Sequence, residues 1–182
     1  MKHALLRATF AVGLMACGAA TAQAQTTVTL PDTAQTTTLT ANVSEQARVT
    51  VPASVTFNVT NVGAITAASA ASVTVNQIVL ATATKQLKVS VQAAAASFTP
   101  PVVGATTWAA ADVSWNAATW TNATGAAGTL SNVSFQQVST CDANASTCST
   151  TALVFSLAAK ATVQRSGNHT LNVTWKFESI GS

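Results

Sequence analysis

Charged residues make up 7% of this 182-residue chain, against about 25% in ordinary domains. Tyrosine is absent, and there are only three cysteines, two histidines and four prolines. Each shortage removes a class of function. Lysines and arginines are few and scattered, so no basic surface exists to neutralise phosphates, and nucleic acid is not an expected partner. No uninterrupted apolar run approaches the roughly 20 residues of a membrane-spanning helix, so no transmembrane segment is expected. His169 is the only histidine beyond the first few residues, and there is no Gly-x-Ser-x-Gly elbow to present a nucleophile. With so few positioned acids and bases the chain reads as a non-enzyme, with no catalytic residues.

Metal and cofactor chemistry are equally short of ligands. One histidine and a closely spaced cysteine pair do not make a transition-metal set. Asp142, Asn144 and Ser146 have the alternating oxygens that begin a calcium loop. Thr147, however, stands where the sharp turn needs glycine, and no acidic residue closes the loop. No glycine-rich phosphate cradle is present, and neither a metal nor a cofactor is expected.

What is present begins with an export signal. Lys2 and Arg7 precede an apolar run over residues 8–16, and Ala22-Gln23-Ala24 has the small-x-small form of a cleavage site. Residues 1–24 therefore read as a secretory signal peptide, which places the mature chain in the periplasm, on the outer cell surface or outside the cell. A competing reading takes Leu14-Met15-Ala16-Cys17 as a lipoprotein signal with Cys17 lipidated. Under either reading the chain leaves the cytoplasm.

Removing the signal also removes most of the positive charge. Arg48, Lys85, Lys88, Lys160, Arg165 and Lys176 then face Asp32, Glu45, Asp112, Asp142 and Glu178, a net charge of +1. The surface of the remaining 158 residues must be built from Thr, Ser, Asn, Gln and Ala. Such a neutral surface repels its neighbours weakly, which suits packing into a layer or fibre. Cys141 and Cys148, alone in the mature chain and in an oxidising compartment, are expected to form a disulfide that clips the tip of a hairpin.

The recurring pattern is period-two alternation of Val, Phe, Leu and Trp with Thr, Ser and Asn, the signature of half-buried strands. It is expected at Val49 and Val51, at Val55, Phe57 and Val59, and at Val73 and Val75. It continues at Leu87, Val89 and Val91, at Val133 and Phe135, at Leu153, Phe155 and Leu157, and at Leu171, Val173, Trp175 and Phe177. Turn clusters such as Asn61-Val-Gly63, Pro100 to Gly104 and Ser166-Gly167-Asn168 separate these runs. The expected fold class is all-β: a single antiparallel β-sandwich of immunoglobulin-like form over residues 42–182. Residues 25–41, almost entirely Thr, Gln, Ala and Val, form an extended N-terminal segment or a first strand.

Trp108, Trp115 and Trp120 fall close together in a segment of little charge. Exposed Trp rings can stack on sugars, so Trp108 and Trp120 are a candidate ligand platform for a glycan. The opposing expectation is that a sandwich core recruits these rings, Trp115 above all.

Three segments together carry a family likeness: Leu39-Thr-Ala-Asn-Val43, Val51-Pro-Ala-Ser-Val-Thr-Phe57, and the ending Ser166-Gly-Asn-His-Thr-Leu-Asn-Val-Thr-Trp-Lys-Phe177. The order resembles that of bacterial secreted immunoglobulin-like subunits of the pilin or spore-coat-U type. The early cysteine and the penultimate tyrosine common in those subunits are missing. The resemblance implies a structural or adhesive cell-surface module, a self-assembling subunit whose open sheet edge is completed by an extended segment of a neighbour. Residues 25–41 are the natural donor, and a homo-oligomer or another surface subunit is the expected partner. A carbohydrate-binding sandwich using the Trp cluster is the alternative.

Overall fold

A computed structural model describes residues 27–31 and 35–181. The expected signal peptide and Cys17 lie outside the described residues. The chain divides between Ala41 and Asn42. In the N-terminal unit, described residues 27–31 and 35–41 form no strand or helix.

From residue 42 onward the chain is built from eleven strands and one 3-10 turn. The strands are β1 (Gln46–Thr50), β2 (Thr66–Ala67), β3 (Ala71–Val79), β4 (Gln86–Ala93), β5 (Val113–Trp115) and β6 (Ala123–Gly125). They continue with β7 (Gly128–Thr129), β8 (Gln136–Cys141), β9 (Cys148–Leu153), β10 (Phe155–Leu157) and β11 (Val173–Ile180). All pairing is antiparallel, in three sheets ordered β1-β3-β9, β2-β10-β5-β7 and β11-β4-β8-β6. Only Val154 separates β9 from β10, and its N–H and C=O bond to the Asn116 side-chain oxygen and backbone N–H at 2.8 and 3.2 Å. The first two sheets are thus one layer, bent at Val154, and the β4 sheet packs against it as the second.

The alternating residues build the space between the layers. Val73 and Val75 of β3 and Val89 and Val91 of β4 are fully buried, with Leu153, Phe155, Leu157, Val113 and Val138 around them. Burying side chains of this size contributes about 1.5 to 3 kcal/mol each, the main term holding the layers together. The 3-10 turn, Ala110–Asp112, is fixed by its own acid: Asp112 Oδ2 accepts from the Ala109 N–H and from Lys160 Nζ, each at 2.8 Å.

Three expectations of local structure are corrected. Residues 52–60 point Val55, Phe57 and Val59 toward the core with strand periodicity, yet join no sheet. Pro52, which lacks an N–H, stands where β1 leaves β3, and the period of two survives without a ladder. Val133 is exposed in a turn, and the strand expected around it begins instead at Gln136. A bulge against β4 turns both Val138 and Ser139 inward there, which hides the period.

Third, the Cys141–Cys148 disulfide is present, with Cα atoms 5.8 Å apart, but it does not clip a hairpin. β8 and β9 belong to different sheets, so residues 142–147 cross from one layer to the other. The bond lies buried between the layers against Val75, Leu87 and Val89.

Candidate functional site

The expected aromatic platform is inside the protein. Trp108, Trp115 and Trp120 are 4%, 3% and 9% exposed, so none offers solvent a face on which a sugar could stack. Trp108 Nε1 donates to the Ala158 carbonyl and Trp115 Nε1 to the Ala126 carbonyl, both at 2.9 Å. β7 passes directly over Trp115, and a Cβ at Gly128 would stand 2.4 Å from the ring carbon Cζ2. Glycine there is what lets the strand seal the ring.

His169 precedes β11 and has partners the sequence did not reveal. Its Nε2 lies 3.1 Å from the Arg165 carbonyl, which can only accept, so Nε2 carries the proton. Nδ1 then accepts from the Thr107 hydroxyl at 2.8 Å, and the ring meets Trp108 edge-on at 5.2 Å between centroids. The group that orients the imidazole is a backbone carbonyl rather than a carboxylate. In this arrangement His169 ties residues 165–170 to the segment that carries Trp108. Among the described residues no cluster of three or more His, Cys, Asp or Glu is placed to hold a metal ion.

The chemically unfinished part of the domain is the flank formed by the end strands of two sheets. Among the described residues, β1 and β11 are the end strands of their sheets, paired only with β3 and β4 respectively. β1 runs against β3, β11 runs against β4, and residues 80–85 reverse the chain between β3 and β4. The two edges therefore run in opposite directions on the same flank. Between them lies a cleft of about 360 Å³ lined by Ala47 and Val49 of β1 and by Phe177 and Ser179 of β11, with Leu80 and Leu87 and, at one end, Glu45.

The edge continues past β1 into residues 52–60. Among the described residues, the one backbone hydrogen bond within this stretch joins the Val59 N–H to the Phe57 carbonyl at 3.1 Å. Val51, Val55, Phe57 and Val59 from this side, and Leu171, Trp175 and Phe177 from β11 and its approach, pack only partly buried against the core. Unpaired backbone next to half-covered apolar side chains is what an added strand can satisfy.

Charge on this flank is confined to a few pairs. Glu45 Oε1 accepts from Lys85 Nζ at 2.9 Å, from the Ala81 N–H at 2.7 Å and from Ser179 Oγ at 3.2 Å. The Lys85 hydrogen bond, with the Ala81 N–H behind it, holds the Glu45 carboxyl below its ordinary pKa. On the outer face of β11, hydrogen bonds from Lys176 and then Lys88 do the same for Glu178. Partial burial pushes Asp112 upward, but the bonds from Lys160 and Ala109 outweigh it and leave this carboxyl lowered as well.

Sequence reasoning singled out the tryptophans and the final strand, but not the juxtaposition of residues 45–59 with β11. More than a hundred positions separate the two edges. The available signal was that the apolar alternation at 51–59 carries a proline at its start and that β11 ends the chain's regular pattern. Comparison with known proteins adds no relative: no protein-family model, no curated protein and no solved structure matches this chain.

Proposed function

We propose that the chain is an exported structural subunit of a cell-surface layer or filament: an immunoglobulin-like sandwich whose open flank is completed by an extended segment of a second copy. The observation that carries this reading is the pair of end strands, β1 on one side and β11 on the other, bordering a cleft lined by Ala47, Val49, Leu80, Leu87 and Phe177. A strand added there runs antiparallel to one edge and parallel to the other, and takes up backbone groups from both.

Residues 25–41 and the positions just after them have the composition of such a strand. Leu39, Ala41 and Val43 alternate with Thr40 and Asn42, and Leu39 and Val43 are exposed. Low charge favours the same outcome, because neutral copies repel one another little. The burial of Trp108 and Trp120 gives no support to the alternative of a glycan platform.

The test is an unboiled gel beside negative-stain microscopy of the mature protein. Heat-sensitive multimers or filaments are expected, lost when residues 25–41 are deleted. Monomers from both the intact and the shortened chain would overturn the proposal.

A further inference from the structure

One carboxylate oxygen joins the two sides of the open flank. Glu45 precedes β1, Ala81 and Lys85 lie in the turn between β3 and β4, and Ser179 lies in β11. Glu45 Oε1 accepts a hydrogen bond from all three, at 2.7, 2.9 and 3.2 Å. The bond to Ser179 crosses from the side of one edge to the other at the end of the cleft that Glu45 lines. A strand laid between β1 and β11 needs about 4.8 Å to each neighbour and must occupy the lane that this carboxylate now spans.

We infer that Glu45 is a latch: it holds the two edges together at this end of the cleft and sets how readily a strand from a second copy enters. The inference rests on the strand-addition reading proposed above. Three donors on one oxygen give the latch a defined position. Its exposure to water keeps it weak, because an ion pair and hydrogen bonds at the surface compete with solvent. It therefore governs the rate of strand entry rather than forbidding it. Ser179 matters because it is the one donor of the three that lies in β11 itself, whereas Ala81 and Lys85 belong to the turn between β3 and β4.

The experiment measures the rate of multimer formation from mature monomer, by light scattering and unboiled gels, for wild type, Glu45→Ala, Ser179→Ala and Glu178→Ala. Glu45→Ala is expected to assemble roughly three- to tenfold faster, the range set by loss of a few exposed polar contacts. Ser179→Ala keeps the Lys85 and Ala81 bonds and is expected to assemble about twofold faster through loss of the bond from Glu45 to the β11 edge. Glu178→Ala removes the same charge from the outer face of β11 and should leave the rate unchanged.

Thermal melts of each monomer separate the latch from general loosening: Ser179→Ala must melt with wild type while assembling faster. Multimers that form at the wild-type rate in both Glu45→Ala and Ser179→Ala would overturn the latch and leave the strand-addition reading standing. Equal acceleration in Glu178→Ala would overturn the latch by assigning the effect to net charge. Failure of all four chains to form multimers would remove the reading and the latch together.

Discussion

Two regions of the sandwich handle large apolar side chains in opposite ways. In one, Trp108, Trp115 and Trp120 are buried, and two of the three indole N–H groups end on backbone carbonyls. β7 and the segment around Ala126 close over Trp115, with Gly128 shaved to the backbone to let its ring fit. In the other, the open flank, Trp175 and Phe177 of β11 and Val55 and Phe57 are only partly buried, and among the described residues β1 and β11 each pair on one side alone. The same residue types are used for stability where the chain closes over itself, and are left available where it does not.

Replacing one tryptophan in each region tests this contrast most strongly. Trp115→Ala should cost the monomer about 3 to 5 kcal/mol in urea denaturation, the range for emptying a buried aromatic site. Trp175→Ala should cost the monomer less, about 1 to 3 kcal/mol, since its ring is only partly buried, yet weaken multimers more than Trp115→Ala weakens them relative to its own monomer. Equal losses in the two monomers would erase the distinction between the regions.

Next in size is the disulfide, which lies between the layers. The double change Cys141→Ala with Cys148→Ala should lower stability by about 2 to 3 kcal/mol, the chain-entropy value for so short a loop. Because the bond joins layers rather than neighbouring strands, amide exchange should quicken in both β8 and β9. Faster exchange in only one of them would contradict its role as a tie between layers.

The smallest effect is that of acid on the open flank. Glu45 and Glu178 have folded-state pKa values below their unfolded ones. Their stabilising contribution is therefore present above the ordinary carboxylate range and is lost as pH falls through the folded values. Melting temperature should drop modestly on acidification, and Glu45→Gln should flatten part of that drop. A Glu45→Gln protein with the wild-type pH profile would show that the carboxylate contributes nothing there.

Much of the architecture was legible because it depends on the period of two. Val73 and Val75, Leu87 to Val91, Leu153 to Leu157 and Val173 to Phe177 read as strands and lie in strands. Where the reading failed, something other than side-chain pattern decided. Residues 52–60 keep the pattern but form no ladder among the described residues. β8 loses it because the bulge at Val138 and Ser139 turns two successive residues inward. The cysteine spacing gave the bond, but not that its two halves belong to opposite layers. Thr107 and His169, 62 positions apart, leave no sequence trace of their contact. The cleft is of the same kind, since it comes from where two distant edges stop rather than from any motif.

The turn at residues 80–85 carries a mechanical consequence. It links β3, which holds β1 along five residues, to β4, which holds β11 along eight. In a string of copies joined through β1 on one side and β11 on the other, tension would pass from β1 to β3, through this turn, to β4 and out through β11. The hydrogen bonds on that route would be loaded along the strands, in shear, so that many must fail together.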